Sequence, residues 1–305
     1  MRNVPIATTA PGAPPSRLPK TLRLYCSIVG KPIALPLGSI TLTGSFAVHT
    51  ITMELVGTYL GLSQDQEVFD YFRRHSAHFF PKMARVARTT WLRQAANLWA
   101  VKERLWCLIR DSLLLYDPTA AIVESMPIPV CQFARAYRCH RFDDTASFGK
   151  DHTCRQTCYG FRLHLRLCWP GVITQMHLAL ANVHEGEVVW DVTTDTSRLL
   201  LGDRNYWLPT RRSALRQVGM VLQAPFRKAS TQPTHSWSPV LGRVCYRIDT
   251  VFGQLTDRCG AKRVWARDLW HVRKRLLRKA LMHTLCVLFN LQDQAPPLQL
   301  DRLIA

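Results

Sequence analysis

A helical segment followed by an α/β domain with a mixed sheet is the architecture this sequence predicts, and three patterns predict it. Apolar residues recur at three and four between about Val48 and Leu108, alternate with polar ones from Phe161 to Cys168, and then gather into short runs separated by helical stripes.

The first helix follows from Val48, Ile51, Leu55 and Tyr59, and Gly61 can close it. Ser63 with Gln66 offers a capping box for a second helix through Glu67, Phe69 and Phe72, which ends before Pro81. A longer helix follows Thr90, with Leu98, Val101, Leu105 and Leu108 on one stripe. Arg73, Arg74, Arg85, Arg88 and Arg93 make this segment basic, either as a DNA-contacting face or as a solvated one.

After Asp117-Pro118 the texture changes. Ala120 to Val123 reads as a buried strand ending in Glu124, with Pro127 and Pro129 in a following loop. Phe161, Leu163, Leu165 and Leu167 alternate with Arg162, His164, Arg166 and Cys168, which is strand periodicity. Trp169-Pro170-Gly171 turns the chain, and Val172 to Leu180 returns as the hairpin partner. Beyond it, His184 to Val192 can be helical, Ser197 to Asp203 is a strand, Thr210 to Val218 a helix, Met220 to Ala224 a strand, and Pro225 to about Ser238 a polar loop. Ile248, Val251, Phe252, Leu255 and Cys259 then share a helical stripe with Asp249 at its border. The last helix is expected to bury Leu277, Leu281, Leu285 and Leu288 and to turn Arg275, Arg278 and Lys279 outward.

Forty Lys and Arg against 21 Asp and Glu give a formal charge of +19 spread along 305 residues. A polyanion is the partner that such a balance selects, because contacts to phosphates release counterions. No stretch approaches the roughly 18 apolar residues of a membrane span, so no membrane partner is expected, and a cytoplasmic, nucleoid-associated location is. Residues 1–20, rich in Pro, Ala and Thr, are expected to be a disordered leader. Ten Cys suit buried thiols in a reducing compartment. His152, Cys154 and Cys158, with Cys139 and His140, permit zinc but lack the spacing of a knuckle or ribbon. The expected organisation is a leader at 1–20, a helical DNA-binding domain at 21–117 and an α/β domain at 118–305.

Three carboxylates stand out by position: Glu124 and Asp203 at strand ends and Asp249 on a helix edge. A charge that ends a buried run such as Leu199-Leu200-Leu201-Gly202 is costly without a counter-charge. Strands whose carboxyl ends share a rim can bring such acids together, and clustered carboxylates in a basic protein suit two Mg²⁺ or Mn²⁺ ions shared with substrate phosphates. Each acid also has a plain structural alternative. Asp203 can start a turn, Asp249 can pair with Arg247 or Arg258, and Glu124 can be an ordinary strand terminus.

The order strand–Glu124, hairpin, strand–Gly202-Asp203-Arg204-Asn205-Tyr206, helix–Asp249 resembles the RNase H-like core of DDE transposases from bacterial insertion sequences. More narrowly, the chain resembles insertion-sequence group nine-eight-two, through MELVGTYLGL, YFRRH, QAANLW, PIPVC, FGKDH, YGFRLHLR, ANVHE, LGDRNYW, YRIDTVFGQL, KRVWARDLWH and PPLQLDRLIA in order. The resemblance implies metal-dependent DNA cleavage and strand transfer at element ends by a homo-oligomer assembled on terminal repeats and target DNA. It makes Glu124, Asp203 and Asp249 the metal ligands and catalytic acids. Arg204, Lys262, Arg263, Arg275, Arg278 and Lys279 are the expected DNA contacts.

The sequence departs from the family pattern at two acids. Where the family has VDSFPIPVC, this chain has VESMPIPVC, and YRIETVFGQL is here YRIDTVFGQL. An arginine often found four residues before the third acid is matched by Cys245. Each swap moves a carboxylate by one methylene, more than about 1 Å, against a magnesium geometry fixed near 2.0 to 2.1 Å. A decayed copy that binds DNA without turnover is therefore the alternative expectation.

Overall fold

The structure is a computed structural model that describes residues 45–112, 116–140, 142, 145–151, 156–193, 198–206, 208–225, 239–264 and 266–304. The expected leader, His152 and Cys154 of the zinc set, and nearly all of the loop after Pro225 lie outside these residues.

Four helices lead: α1 (Ser45–Tyr59), α2 (Asp65–His75), α3 (Arg88–Asn97) and α4 (Trp99–Ser112). The capping box of α2 falls one residue later than its sequence signal, with Gln64 N–H donating to Glu67 Oε2 at 3.1 Å. The single long helix expected after Thr90 is two, broken at Leu98. Ala95 O, which would serve Trp99 N–H in an unbroken helix, instead accepts from Lys102 Nζ at 2.9 Å.

Six strands follow: β1 (Ala120–Pro129), β2 (Ser147–Asp151), β3 (Gln156–Cys168), β4 (Val172–Leu180), β5 (Leu199–Gly202) and β6 (Val221–Gln223). Strand β3 carries β1 along one edge, while β2 and β4 pair with successive parts of it. Beyond β1 the sheet runs parallel through β5 to β6. It is therefore mixed, antiparallel on one side of β1 and parallel on the other.

The strand that was expected to stop at Glu124 runs on through both prolines. Val130 N–H bonds Tyr159 O on β3, so the amide positions of Pro127 and Pro129, three and one residues earlier, face the opposite edge. Pairing with β5 ends at Val123 opposite Gly202, and that edge is open where the prolines stand. Glu124 is thus a mid-strand residue placed where its parallel neighbour stops.

After β4, residues Glu185–Val192 form a 3₁₀ turn, and Arg204–Tyr206 form another after β5. Helix α5 (Pro209–Gln217) precedes β6, and α6 (Pro239–Gly253) runs into a π turn over Gln254–Arg258. Helix α7 (Leu269–Gln292) is the longest among the described residues.

One face of the sheet, with Ile122, Met126, Leu163, Leu165 and Leu201, shares a core with α1, α4, α6 and α7. The other face, with Ala121, Val123, Leu200 and Tyr206, packs with Leu215 of α5 and Leu222 of β6. The N-terminal helices therefore bury apolar surface in the same core as the sheet. Met53, Val68, Phe69, Trp91 and neighbours form a smaller cluster of their own.

Helix α7 corrects one expectation. Its leucines are buried as the stripe required, but Arg278 and Lys279 are also buried and Arg275 is half-buried. Arg278 NH1 donates to Asp65 Oδ1 at 2.7 Å and approaches Glu54 Oε1 at 3.4 Å. Arg275 and Lys274 reach Asp65 Oδ2 at 3.1 and 3.4 Å, and Lys279 Nζ donates to Cys259 O. A helix packed on both sides has no solvent face for these cations, so Lys274, Arg275 and Arg278 neutralise acids of α1 and α2 while Lys279 bonds a backbone carbonyl.

Candidate active site

Placement of the three acids follows from the sheet. Strand alternation puts Glu124 on the face of Ile122 and Met126, the face that helix α6 covers. Asp203 leaves β5 one residue beyond the last parallel pair, beside Glu124. Asp249 comes from the end of the third turn of α6, one residue after buried Ile248. All three line one open cleft of about 630 Å³, together with Ser125, Cys245 and Lys262.

Asp203 also makes the turn that its plain alternative required. Its Oδ1 accepts from Arg204 N–H at 2.6 Å, and Asn205 Nδ2 reaches Oδ2 at 3.3 Å. Gly202 keeps this corner tight, since a Cβ there would lie 3.1 Å from Tyr206 Cβ. Capping and cleft placement coexist, because a carboxylate retains lone pairs after accepting one bond on each oxygen. Asp249 fares differently from its alternative. Arg247 donates to Pro170 O at 2.8 Å with its guanidinium over the Trp169 ring, and Arg258 pairs with Asp301. Both arginines are engaged elsewhere.

A fourth acid was missed. Glu185 starts the 3₁₀ turn after β4, and its carboxylate, with those of Glu124 and Asp203, offers oxygens all within 4.8 Å of one another. Ser125 Oγ donates to Glu185 Oε1 at 2.8 Å and Arg162 pairs with the same oxygen, while the buried Oε2 has no hydrogen-bond partner among the described residues. The signal was present in ANVHE, a stretch that carries the family resemblance, but an acid opening a helical turn is ordinary and gives no hint of where it points.

Electrostatics record the crowding. Burial pushes the Glu124 carboxyl up to about 8, and Asp203, Glu185 and Asp249 push in the same direction against one opposing bond from Ser125 N–H. Asp249 is raised by burial and by Asp203. Cys245 is lifted to about 11 by burial and by the same carboxylates, so the position that carries arginine in the resembled family holds an uncharged thiol here. Beneath the cleft, His164 Nδ1 lies 2.8 Å from buried Tyr206 Oη, and burial drops this imidazole to about 3.

An all-oxygen donor set with carboxylates this close suits hard divalent cations such as Mg²⁺ or Mn²⁺, and such an ion would offset the repulsion that raises Glu124. Of the expected DNA contacts, Lys262 lines the cleft and Arg204 and Arg263 are exposed close by in sequence, whereas Arg275 and Arg278 belong to the ion-pair layer between helices and Lys279 is buried against the Cys259 carbonyl.

Converging carboxylates beside the end of paired parallel strands, closed by a helix, give this α/β domain a site suited to divalent cations. More narrowly, residues 117–267 match the family model described as Transposase DDE domain, a span that contains Glu124, Glu185, Asp203 and Asp249. This part of the chain is similar to a transposase DDE domain, and its mixed α/β fold is consistent with one. No curated protein matches the chain.

Proposed function

We propose that the protein is an insertion-sequence transposase that cleaves DNA at element ends and transfers the freed 3′-hydroxyl to target DNA, working as a homo-oligomer on that DNA in the cytoplasm. The observation that carries this reading is the convergence of Glu124, Asp203 and Asp249 on one cleft inside the matched segment. Glu124, Asp203 and Asp249 would hold two Mg²⁺ or Mn²⁺ ions, with Glu185 close enough to share the first two acids' ion. Divalent ions bound there supply activation of the attacking oxygen and stabilisation of the leaving one. The chain's own residues do the rest. Arg204, Lys262 and Arg263 neutralise backbone phosphates at the rim, and the Arg162–Glu185–Ser125 contacts fix the wall behind Glu124. The division into a helical DNA-binding part at 21–117 and a catalytic part at 118–305 belongs to the same proposal.

The test is incubation of the protein with DNA carrying the inverted repeats that flank its coding region, plus Mg²⁺ or Mn²⁺. Strand cleavage that disappears in Asp203→Ala supports the proposal. A second reading, a decayed copy that binds DNA without turnover, is favoured by Asp249 standing outside the closest group of acids and by the two altered acid lengths. It expects no cleavage by the natural chain and recovery in Glu124→Asp combined with Asp249→Glu. Cutting without strand transfer would instead indicate a nuclease.

A further inference from the structure

Large aromatic side chains scattered singly on a surface need no explanation, but rings in contact with one another do. Phe133, Tyr137 and Phe148 are 47%, 81% and 39% exposed. Phe133 meets Tyr137 edge-on at 6.2 Å, Tyr137 stacks on Phe148 at 5.2 Å with 28° between the planes, and Phe148 tilts onto buried Tyr159 at 4.9 Å. The result is a ladder anchored in β3 that runs out through Phe148 and Tyr137 to Phe133, with the tyrosine ring its most solvent-exposed member.

Local structure fixes the ladder. Phe133 and Tyr137 share the 3₁₀ turn Phe133–Arg138, while Phe148 lies on β2 opposite Tyr159 of β3. Gly149 brings β2 hard against the segment after β4, because a Cβ there would lie 2.1 Å from Ala181 O. Around the rings stand the exposed cations Arg135, Arg138 and Lys150. Phe148 and Lys150 also line a second cleft of about 540 Å³ whose far wall holds Arg162, Glu185 and Asn205. Glu185 reaches to within 4.8 Å of Glu124 and Asp203, so this cleft leads from the ladder to the acids.

We propose that Tyr137 and Phe148 form a stacking platform for an unpaired base of the DNA strand that runs from the acid cleft past Lys150. A base has a π face to lay on the ring whatever its identity, and its phosphates find cations on both sides. Paired bases inside a duplex do not expose that face, so the platform selects unpaired nucleotides. The inference rests on DNA as the partner, not on turnover.

The experiment measures binding of the full chain to a single-stranded oligonucleotide carrying 2-aminopurine and to the matching duplex, both with a chelator present so that no cleavage occurs. Tyr137→Ala should weaken single-strand binding about tenfold and relieve the quenching of 2-aminopurine, leave duplex binding unchanged, and be rescued by Tyr137→Trp. Tyr137→Ala together with Phe148→Ala should weaken it further. Equal losses for single strand and duplex, or an unchanged single-strand Kd in a Tyr137→Ala protein with the natural unfolding transition, would overturn the platform. Because Tyr137 is so exposed, the single variant remains decisive if the double variant does not fold. Cleavage assays do not enter, so failure here and failure of the transposase reading are separate results.

Discussion

Two groups of carboxylates in this molecule live under opposite fields. Glu54 and Asp65, on α1 and α2, are held by Lys102, Lys274, Arg275 and Arg278, and although burial alone would raise Asp65, Arg278, Lys274 and Arg275 outweigh it and keep its carboxyl well below the usual range. Glu124 is half-buried, but the charges that reinforce its burial are three further carboxylates, and it rises to about 8. A chain with 40 Lys and Arg does not lack cations to place beside Glu124. Four of them stand in the layer between helices, whereas the charges that act on Glu124 are carboxylates. The first group locks two parts of the fold together, and the second is arranged for a cation that arrives from outside.

The largest expected difference between the groups is functional. Asp203→Ala should reduce cleavage by more than about a hundredfold, since even partners one shell removed from a metal cost 10- to 100-fold, while its unfolding free energy stays near that of the natural chain. Conversely, Arg278→Met should cost about 3–5 kcal/mol in urea unfolding by removing the buried cation that Asp65 and Glu54 share. If the two variants behaved alike in both assays, the contrast would be lost.

pH separates the groups by sign. Asp65 has its folded pKa depressed, so the unfolded state binds more protons below the ordinary value of 3.8, and its stabilisation is present above that value and lost as pH falls. Glu124 has its folded pKa raised from 4.5 to about 8, so its contribution is full below 4.5 and is lost as pH rises through 8. Without divalent ions, Glu124→Gln should therefore match the natural chain in stability near pH 4.5 and exceed it above pH 8, as read by thermal unfolding across that range.

A smaller effect sharpens the distinction among arginines. Arg204→Ala should lower the slope of log affinity against log salt by about one, with DNA of any sequence. Arg278→Met, still folded at low temperature, should leave that slope unchanged, because its guanidinium is buried against carboxylates.

Much of this was legible in the chain. The run Leu199-Leu200-Leu201 before Gly202-Asp203 announced a buried strand ending in an acid, and the alternation from Phe161 to Cys168 with Trp169-Pro170-Gly171 announced the hairpin. Periodicity does not encode register, however. That Val123 lies opposite Gly202, and hence that Glu124 and Asp203 are neighbours, is a long-range property of the sheet. Pro127 and Pro129 misled for a related reason, since a proline is tolerated in a strand when its amide faces an open edge, and only the pairing shows which edge is open. The outward turn expected of Arg278 and Lys279 failed because a helical stripe argument assumes one buried face, and α7 has more than one. Glu185 was invisible as a neighbour of Glu124 because 61 positions separate them and nothing local ties them.

Direct titration of a divalent cation tests the central claim most closely. Calorimetry with Mn²⁺ on the natural protein and on Asp203→Ala, without DNA, should show binding accompanied by proton release in the first and its loss in the second. Equal heats from the two proteins, or none from the natural chain at a pH above 8, would contradict a cation site built from these acids.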